Sequence, residues 1–326
     1  MIYHTVTNPD DDYIWNLILS HAGEPFYTAR GLPFTYHQKI SRTGEALGEI
    51  IIDRREKTIT RSTILLAYTR AKELGGVVSG PKKLGVFGAS YLYPVFLKIG
   101  VCRKESMKAL IINASPRKKF NTAQLLESAM KGAQEAGAEC EWINLFDYEF
   151  TGCRSCFACK IKNSKTNGLC AVKDSIRPVL DKARDADVLI FGSPVYYGYP
   201  TGQLRNFVER LLFPLDTYLV DENGERVKFE HKPIHTGLIY TMNCPDWLME
   251  KVEYPTLLGF TGTEIGRLCG YNEVLYSCDT YQFSDYSRYD CNMFPEEKKR
   301  EQREKQFPID LQNAYELGKR LAEMTR

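Results

Sequence analysis

Lys108-Ala-Leu-Ile-Ile-Asn-Ala-Ser-Pro-Arg-Lys-Lys-Phe-Asn-Thr-Ala123 is the stretch on which the reading of the fold turns. Ala109–Asn113 is a short continuous apolar run, suited to a central parallel strand buried on both faces. Thr122–Ala136 follows with helical spacing. The loop between them is rich in hydroxyl, amide and basic groups, and it sits where a helix N-terminus leaves backbone N–H groups without partners. Such groups point toward an anion; Ser115, Asn121 and Thr122 add side-chain hydrogen bonds, and Arg117 or Lys118 adds charge. This is the composition of a phosphate cradle. By itself the loop reads equally as a capped turn with solvated lysines. It is neither a Walker A loop nor a G-x-G-x-x-G turn, which argues against a nucleoside triphosphate or a Rossmann-bound dinucleotide there.

Outward from this stretch the pattern repeats. Glu141–Leu145, Val188–Phe191 and Gly237–Tyr240 are further strand candidates, separated by the helix-like Ser175–Ala186 and Gly202–Leu212. Strands alternating with helices imply right-handed βαβ units in a doubly wound sheet, with ligands beyond the carboxyl ends of the strands. The loops starting at Ala114, Asp147, Pro194 and Thr241 are therefore expected along one edge. One of them, Gly192-Ser-Pro-Val-Tyr-Tyr-Gly-Tyr-Pro-Thr-Gly-Gln203, offers walls for a flat ring. Tyr196 and Tyr197 can contact a ring face, N–H groups around Tyr197 and Gly198 can bond its heteroatoms, and Gly198 permits close backbone approach.

Taken together, Asn113-Ala-Ser-Pro-Arg, three residues on Asn121-Thr-Ala123, and Gly192-Ser-Pro-Val-Tyr-Tyr-Gly198 with Gly202-Gln-Leu-Arg205 and Glu209-Arg210 resemble the two flavin loops of the NADPH-dependent FMN reductase and iron–sulfur flavoprotein families. The resemblance runs from about Met107 to the C-terminus and matches two separated loops in order. It implies a flavodoxin-like α/β fold of strand order 2-1-3-4-5. It implies FMN phosphate at Ser115, Arg117, Lys118, Asn121, Thr122 and Ala123, with isoalloxazine against Pro194, Val195, Tyr196, Tyr197 and Gly198. By the same resemblance Tyr240, Thr241 and Asn243 form a third flavin-side loop, and the protein is a homo-oligomer with FMN near the subunit interface.

After the second strand comes Cys153-x2-Cys156-x2-Cys159-x10-Cys170, followed by Asp174. Thiolates at this spacing can ligate an Fe–S cluster or zinc. The motif looks like the compact cysteine motif of the iron–sulfur flavoproteins, except that its last interval is longer and carries the polar Lys162–Gly168. A [4Fe–4S] cluster, zinc, and free or redox-active thiols are the three readings. Cys102, Cys140, Cys244, Cys269, Cys278 and Cys291 are dispersed and read as small buried hydrophobes.

The rest of the chain bounds the function. Its 326 residues suggest two domains, with the boundary at the polar Val101–Met107: residues 1–106 a small α+β domain of unknown role, residues 107–326 the flavin domain. In the first part we expect a helix over Asp11–His21 capped by Asp10 or Asp11, and a hairpin of Phe34–Ile40 and Gly48–Asp53. A helix from Thr60 or Ser62 to Leu74 and another over Ala89–Ile99 complete it. Gly80-Pro-Lys-Lys-Leu-Gly-Val-Phe-Gly-Ala-Ser90 reads as a connection between helices, with an anion loop as the alternative.

Lys and Arg (43) nearly balance Asp and Glu (41), so net charge argues for neither nucleic acid nor a membrane surface as partner. The chain opens without a basic stretch leading into an apolar one, and no apolar run is long enough to cross a bilayer; the expectation is a soluble, cytoplasmic protein. The five histidines form no close ligand pair, no Ser–His–Asp or H-E-x-x-H signature is evident, and no catalytic residue is assigned. Glu296–Lys305 reads as a solvated helix face, and Tyr276–Tyr289 as packing that can reach the flavin edge.

The leading expectation is an FMN-dependent oxidoreductase that takes electrons from NAD(P)H and passes them to an unidentified acceptor, with FMN supplying the chemistry. The alternatives are a flavoprotein electron carrier without a small-molecule substrate, and a redox-sensing module whose mildly basic N-terminal part, with Arg54, Arg55, Lys57 and Arg61, contacts nucleic acid.

Overall fold

The computed structural model describes residues 9–325 apart from 56, 105, 164, 167 and 228. They fall into two compact units, Met1–Glu105 and Ser106–Arg326.

The first unit opens with α1 (Pro9–Ser20) and a short antiparallel pair, β1 (Phe26–Tyr27) with β2 (Pro33–Phe34). An antiparallel sheet follows, of β3 (Tyr36–Ile40), β4 (Ala46–Ile52) and β5 (Lys57–Thr60), then α2 (Arg61–Glu73) and α3 (Ala89–Lys98). The hairpin and the helices lie where the sequence put them, with two corrections. Helix α1 begins at Pro9, so Asp10 and Asp11 are not its caps but belong to its first turn, where with Asp12 they face the positive end of the helix dipole. The four residues of β5 were not foreseen. Thr60, the last of them, then caps α2: its side chain accepts from the Thr63 N–H at 3.2 Å. Ile18, Tyr36, Ile50, Ile52, Ile59, Ile64 and Phe96 form the centre of a buried core, and the Tyr36 hydroxyl donates to the Ile18 carbonyl at 2.7 Å.

The second unit runs β6 (Met107–Asn113), α4 (Asn121–Glu135), β7 (Ala138–Asn144), α5 (Arg177–Asp185), β8 (Val188–Tyr196), the two-residue β9 (Tyr199–Pro200) and α6 (Gly202–Leu212). It continues with β10 (Ile234–Thr241), α7 (Asp246–Lys251), α8 (Tyr254–Cys269), β11 (Gly270–Ser277), α9 (Glu296–Lys305) and α10 (Phe307–Glu323). The long strands are all parallel, in the spatial order β11-β10-β8-β6-β7, and β9 pairs antiparallel on the end of β8. Counted along the unit this is the expected order 2-1-3-4-5, the flavodoxin-like arrangement.

Alternation along the strands divides the core. Leu110, Ile112, Phe191 and Leu238 face one layer with residues of α5, α6 and α8, while Ala109, Ile111, Ile190 and Ile239 face the other with α4 and α10. A sheet buried on both faces needs the continuous apolar runs seen in the sequence. The register places Asn113 beside both Asn144 and Gly192, and Thr241 beside both Pro194 and Ser277, so all five carboxyl ends meet at one edge.

Candidate functional site

The first loop at that edge is held by its own strand and by the next. The buried Asn113 side chain accepts from the Ser115 N–H at 3.0 Å and donates to Asn144 Oδ1 at 3.1 Å, turning the chain out of β6. The Ala114 N–H donates to the Gly192 carbonyl at 2.8 Å, and the Thr201 hydroxyl donates to the Ala114 carbonyl at 2.9 Å while capping α6. The phosphate loop and the ring loop are thus stitched together by buried groups. Gly192 allows close packing here: a Cβ at that position would lie 2.6 Å from Leu126 Cδ1 and 2.9 Å from Thr122 Cγ2, so these α4 side chains would have to shift.

The ring loop differs from expectation in form. Strand β8 continues through Gly192-Ser-Pro-Val-Tyr196 instead of ending at Phe191, and a two-residue hairpin at Tyr197-Gly198 returns it to β9. Both hairpin residues have positive φ, 52° and 84°, as a type I′ turn demands. Glycine takes this without cost, whereas Tyr197 holds a conformation unusual for a bulky residue, its ring 98% exposed. Tyr196 beside it is about half exposed.

One cavity of about 100 Å³ joins the loops. Of the residues proposed from sequence, Ser115, Arg117, Asn121, Thr122, Pro194, Val195, Tyr196, Thr241 and Asn243 line it. Thr122 and Thr241 share a hydroxyl hydrogen bond of 2.7 Å, joining the first loop to the third. Lys118 pairs with Asp147 and does not line the cavity, nor do Ala123, Tyr197 and Gly198. Tyr240 lies in the core and stacks on Tyr276 at 6.0 Å between centroids, and burial pushes its hydroxyl pKa far up.

Phe120, Met242, Thr280, Tyr281 and Gln282 complete the lining; the first two fall within loops read from sequence and the last three within Tyr276–Tyr289, read as packing that can reach the flavin edge, though none was singled out as a site residue. The last three follow β11, at the same sheet edge, and cover the cradle. The Tyr281 carbonyl accepts from Asn121 Nδ2 at 2.7 Å, and the Gln282 carbonyl accepts from Arg117 Nη1 at 2.5 Å. The doubly wound topology was the available signal, since the carboxyl end of every parallel strand opens on this edge.

The expectation of a solvated face along α9 is corrected at Lys299. That side chain is 1% exposed; its ammonium donates to the Asn243 carbonyl at 2.6 Å, pairs with Asp279 and lies 4.9 Å from the centre of the Phe294 ring. Burial lowers its pKa, and the Asp279 carboxylate opposes that. Lys299 therefore ties together the loops that follow β10 and β11.

These residues fit the phosphate end of FMN. Hydroxyls, an amide and a guanidinium converge on the start of α4; the buried Asn243 Oδ1, without a hydrogen-bond partner among the described residues, is an acceptor that calls for a donor and not for a phosphate oxygen. The cavity has room for a small polar group; a flat ring would lie along the exposed tyrosine hairpin.

The cysteine motif lies between β7 and α5 at the same edge. Cys153, Cys156, Cys159 and Cys170 all line one small cavity of about 20 Å³, together with Phe157, Arg210 and Phe213. Cys153 and Cys156 are exposed, and Cys159 and Cys170 half-buried. Among the described residues no group of three or more His, Cys, Asp or Glu is arranged to hold a metal ion. The donor set therefore fits a soft metal or cluster in composition and in sharing one cavity, and does not form a closed ligand shell.

Arg210 on α6, 2% exposed, organises this loop. Its guanidinium donates to both carboxylate oxygens of Asp174, at 2.5 and 3.0 Å, to the Thr151 carbonyl ahead of the motif and to the Val172 carbonyl after it. Glu209 accepts from the Cys153 N–H at 3.2 Å. Burial raises the Cys159 thiol pKa, opposed by the neighbouring Lys160 ammonium. Of the dispersed cysteines, Cys102, Cys269 and Cys278 are buried as expected, with Cys269 pushed up to about 12 by burial, and Cys140 and Cys244 are half-buried. Cys291 is exposed, contrary to expectation, because it lies in the irregular segment between β11 and α9.

Residues 107–238 match the family model described as NADPH-dependent FMN reductase. An iron-sulfur flavoprotein of Archaeoglobus fulgidus is 41% identical over 104 residues, which are 32% of this chain and 48% of that protein. An iron-sulfur flavoprotein of Methanocaldococcus jannaschii is 38% identical over 104 residues, 32% of this chain and 51% of that one. The chain spans about half the length of the curated relatives it matches. Among solved structures, an NAD(P)H:quinone oxidoreductase from Methanothermobacter marburgensis superposes with a TM-score of 0.46 at 15% identity, over 67% of this chain and 98% of that one. The resemblance read from the two loops therefore holds: residues 107–238 carry the NADPH-dependent FMN reductase pattern, and iron-sulfur flavoproteins are relatives of this chain.

Proposed function

We propose that residues 107–326 form a domain that binds FMN, takes electrons from NAD(P)H and passes them to an acceptor, with residues 1–106 as a separate domain. The observation that carries this is the convergence of the loops after β6, β8 and β10 on one cavity, where the side chains of Ser115, Arg117, Asn121 and Thr122 meet at the start of α4. Ser115, Asn121, Thr122 and the N–H groups at the start of α4 would hold the phosphate, and Arg117 would balance its charge. Pro194, Val195 and Tyr196 would flank the ring, with Tyr197 and Gly198 supplying backbone N–H groups. When bound, FMN supplies redox chemistry that exchanges electrons in pairs or singly. The chain's part is to orient the cofactor, so no acid or base need be assigned. Among the described residues no helix is long and apolar enough to cross a membrane. From the family resemblance and the near-balanced charge we further propose a cytoplasmic homo-oligomer without a nucleic-acid partner.

We further propose that Cys153, Cys156, Cys159 and Cys170 hold a [4Fe–4S] cluster. Their shared cavity beside α6 supports this, as do relatives named for iron and sulfur. Visible spectra and stopped-flow mixing of anaerobically purified protein test both proposals. We expect flavin absorbance, bleached rapidly by NADH or NADPH, together with close to four iron and four sulfide per chain, as the proposed cluster requires. Flavin reduced only by a reduced partner protein would make the molecule an electron carrier; colourless protein that takes up no FMN would overturn the reading. Full FMN without iron or sulfide, persisting after reconstitution, would remove the cluster alone.

A further inference from the structure

The N-terminal unit has a concave site of its own, with no part in the flavin reading. A cavity of about 680 Å³ is bounded by Thr28–Leu32, by Arg54 and Lys57, and by the Pro81–Tyr91 stretch that leads into α3. That volume falls in the range of small-molecule sites. Arg30, Arg54, Lys57 and Lys82 line it, and among the described residues no Asp or Glu does.

Among the described residues none of the four lining cations is paired with a carboxylate, whereas Lys39, Arg61, Arg70 and Lys72 of the same unit pair with Glu49, Asp12, Glu73 and Asp10. Like charges gathered in a concavity repel one another and raise a positive potential that an anion relieves. Three separate segments of chain supply them, so the convergence is a product of the fold and not of a run in the sequence.

The cavity also has a flat apolar wall. Phe87 is 61% exposed, and the Lys57 ammonium lies 5.1 Å from its ring centre, a cation poised beside an open aromatic face. Leu32 and the ring of Tyr91 line the same space. Phe87 is presented by a turn between two left-handed glycines, Gly85 and Gly88. At Gly88 a Cβ would lie 2.4 Å from Ile59 Cδ1, so only glycine lets the loop close over the sheet. Ala89 and Ser90, the first turn of α3, face the cavity as well and add the positive end of that helix to the field.

We propose that this cavity binds a nucleotide-like polyanion: a small molecule carrying two or more phosphates for Arg30, Arg54, Lys57 and Lys82, and a flat ring for Phe87. The glycine-rich stretch read from sequence as a connection is then the anion loop.

ADP is the probe, titrated calorimetrically into the full-length protein saturated with FMN, with adenosine and tripolyphosphate as its two halves. We expect one ADP per chain, weaker binding of either half, and weakening with salt. The double variant R54Q/K57Q should lower ADP affinity by about tenfold or more, since each removed cation takes away a charge-assisted hydrogen bond. Its FMN spectrum and thermal midpoint should stay unchanged, and Arg54→Lys with Lys57→Arg should restore binding. The proposal fails if ADP does not bind at millimolar concentration, if R54Q/K57Q binds it as the parent does, or if a single-stranded oligonucleotide displaces ADP at lower concentration. It also fails if Thr122→Ala and not R54Q/K57Q weakens ADP, which would place the nucleotide in the flavin cradle. Because FMN occupancy is read separately from its absorbance, the flavin reading can fail without this one, and the reverse.

Discussion

The phosphate loop and the cysteine loop open on the same edge of one sheet, yet they are built in opposite ways. Asn113–Thr122 bridges a central strand and the helix packed on it, and its polar groups are fixed by neighbouring strand ends: Ala114 to Gly192, Asn113 to Asn144, Thr122 to Thr241. The cysteine loop crosses from Asn144 to Arg177 and, among the described residues, has only brief 3-10 turns at Leu145–Asp147 and Ala158–Lys160. Its backbone is left-handed at Ser155 and Phe157, a conformation that costs energy at a non-glycine residue and persists where surrounding contacts impose it. Those contacts reach it from α6 and the residues just after it: Arg210 on Asp174, Glu209 on the Cys153 N–H, and the Phe213 ring against Phe157. One site inherits its geometry from regular structure; the other depends on side-chain contacts, with the Arg210–Asp174 pair at their centre.

That contrast can be broken most directly at Arg210. Arg210→Met would leave Asp174 without its partner and the Thr151 and Val172 carbonyls without a donor. Breaking a buried pair costs on the order of 3 kcal/mol, and since Asp174 keeps some solvent the lower end of the usual range applies. We expect a lower denaturant midpoint and faster alkylation of Cys159 and Cys170, with FMN affinity changed by less than about threefold. A loss of FMN equal to the loss of loop order would show that the two regions are coupled.

The reciprocal change falls in the cradle. Thr122→Ala and Ser115→Ala each remove a hydrogen bond to a charged phosphate, worth about 1.5–3 kcal/mol, so FMN affinity should fall roughly ten- to a hundredfold by fluorescence titration. Thiol reactivity in the cysteine loop should not move. Unchanged FMN affinity in both variants would remove the proposed cradle.

What the sequence disclosed follows the same division. Ala109–Asn113 was legible as a strand, and Gly202–Leu212 as a helix, because burial on a sheet writes a period into consecutive residues. The Asn113–Thr122 loop was legible as a strand-to-helix junction because its turn and polar residues are local in the sequence. Strand β8 ran past its expected end because Ser193-Pro194 carries the composition of a loop, while its pairing with Tyr240 and Thr241 is a property of the sheet. Strand β11 was not named, since Asn272 and Glu273 break the apolar run on an edge strand that is only half buried. Lys299 was hidden for the same reason as the cover at Tyr281–Gln282: its partners, Asp279 and the Asn243 carbonyl, are far along the chain, and nothing in Glu-Lys-Lys-Arg separates a buried lysine from solvated ones.

Lys299 gives a smaller test of how far regular structure alone holds the cradle. Lys299→Met keeps the volume of the buried stem and removes the ammonium that joins Asn243 to Asp279. We expect a stability loss of about 1–2 kcal/mol, because a charged hydrogen bond is lost while Asp279 retains access to water, and an FMN affinity lowered only severalfold. A collapse of FMN binding as large as that from Thr122→Ala would mean that the third loop, and not the first, fixes the cofactor.

The smallest expected effect comes from removing the N-terminal unit altogether. Strands β6 to β11 bury apolar side chains on both faces against helices of their own unit, so the sheet does not need residues 1–106 for its core. Every loop that lines the flavin cavity, including Thr280–Gln282, also lies after Met107. A chain beginning at Met107 should therefore fold cooperatively and bind FMN within about twofold of the full-length protein, a difference below 0.5 kcal/mol. It should show the same alkylation rates at Cys153, Cys156, Cys159 and Cys170, because Arg210 and Asp174 travel with it. It should also lose ADP binding, which we assign to the first unit. Calorimetry and flavin fluorescence on the shortened chain check all of this in one preparation. If that chain is soluble and monodisperse yet takes up no FMN, the sheet edge alone does not make the site. The comparison between a cradle held by regular structure and a loop held by side-chain contacts would then have to include a third support from residues 1–106.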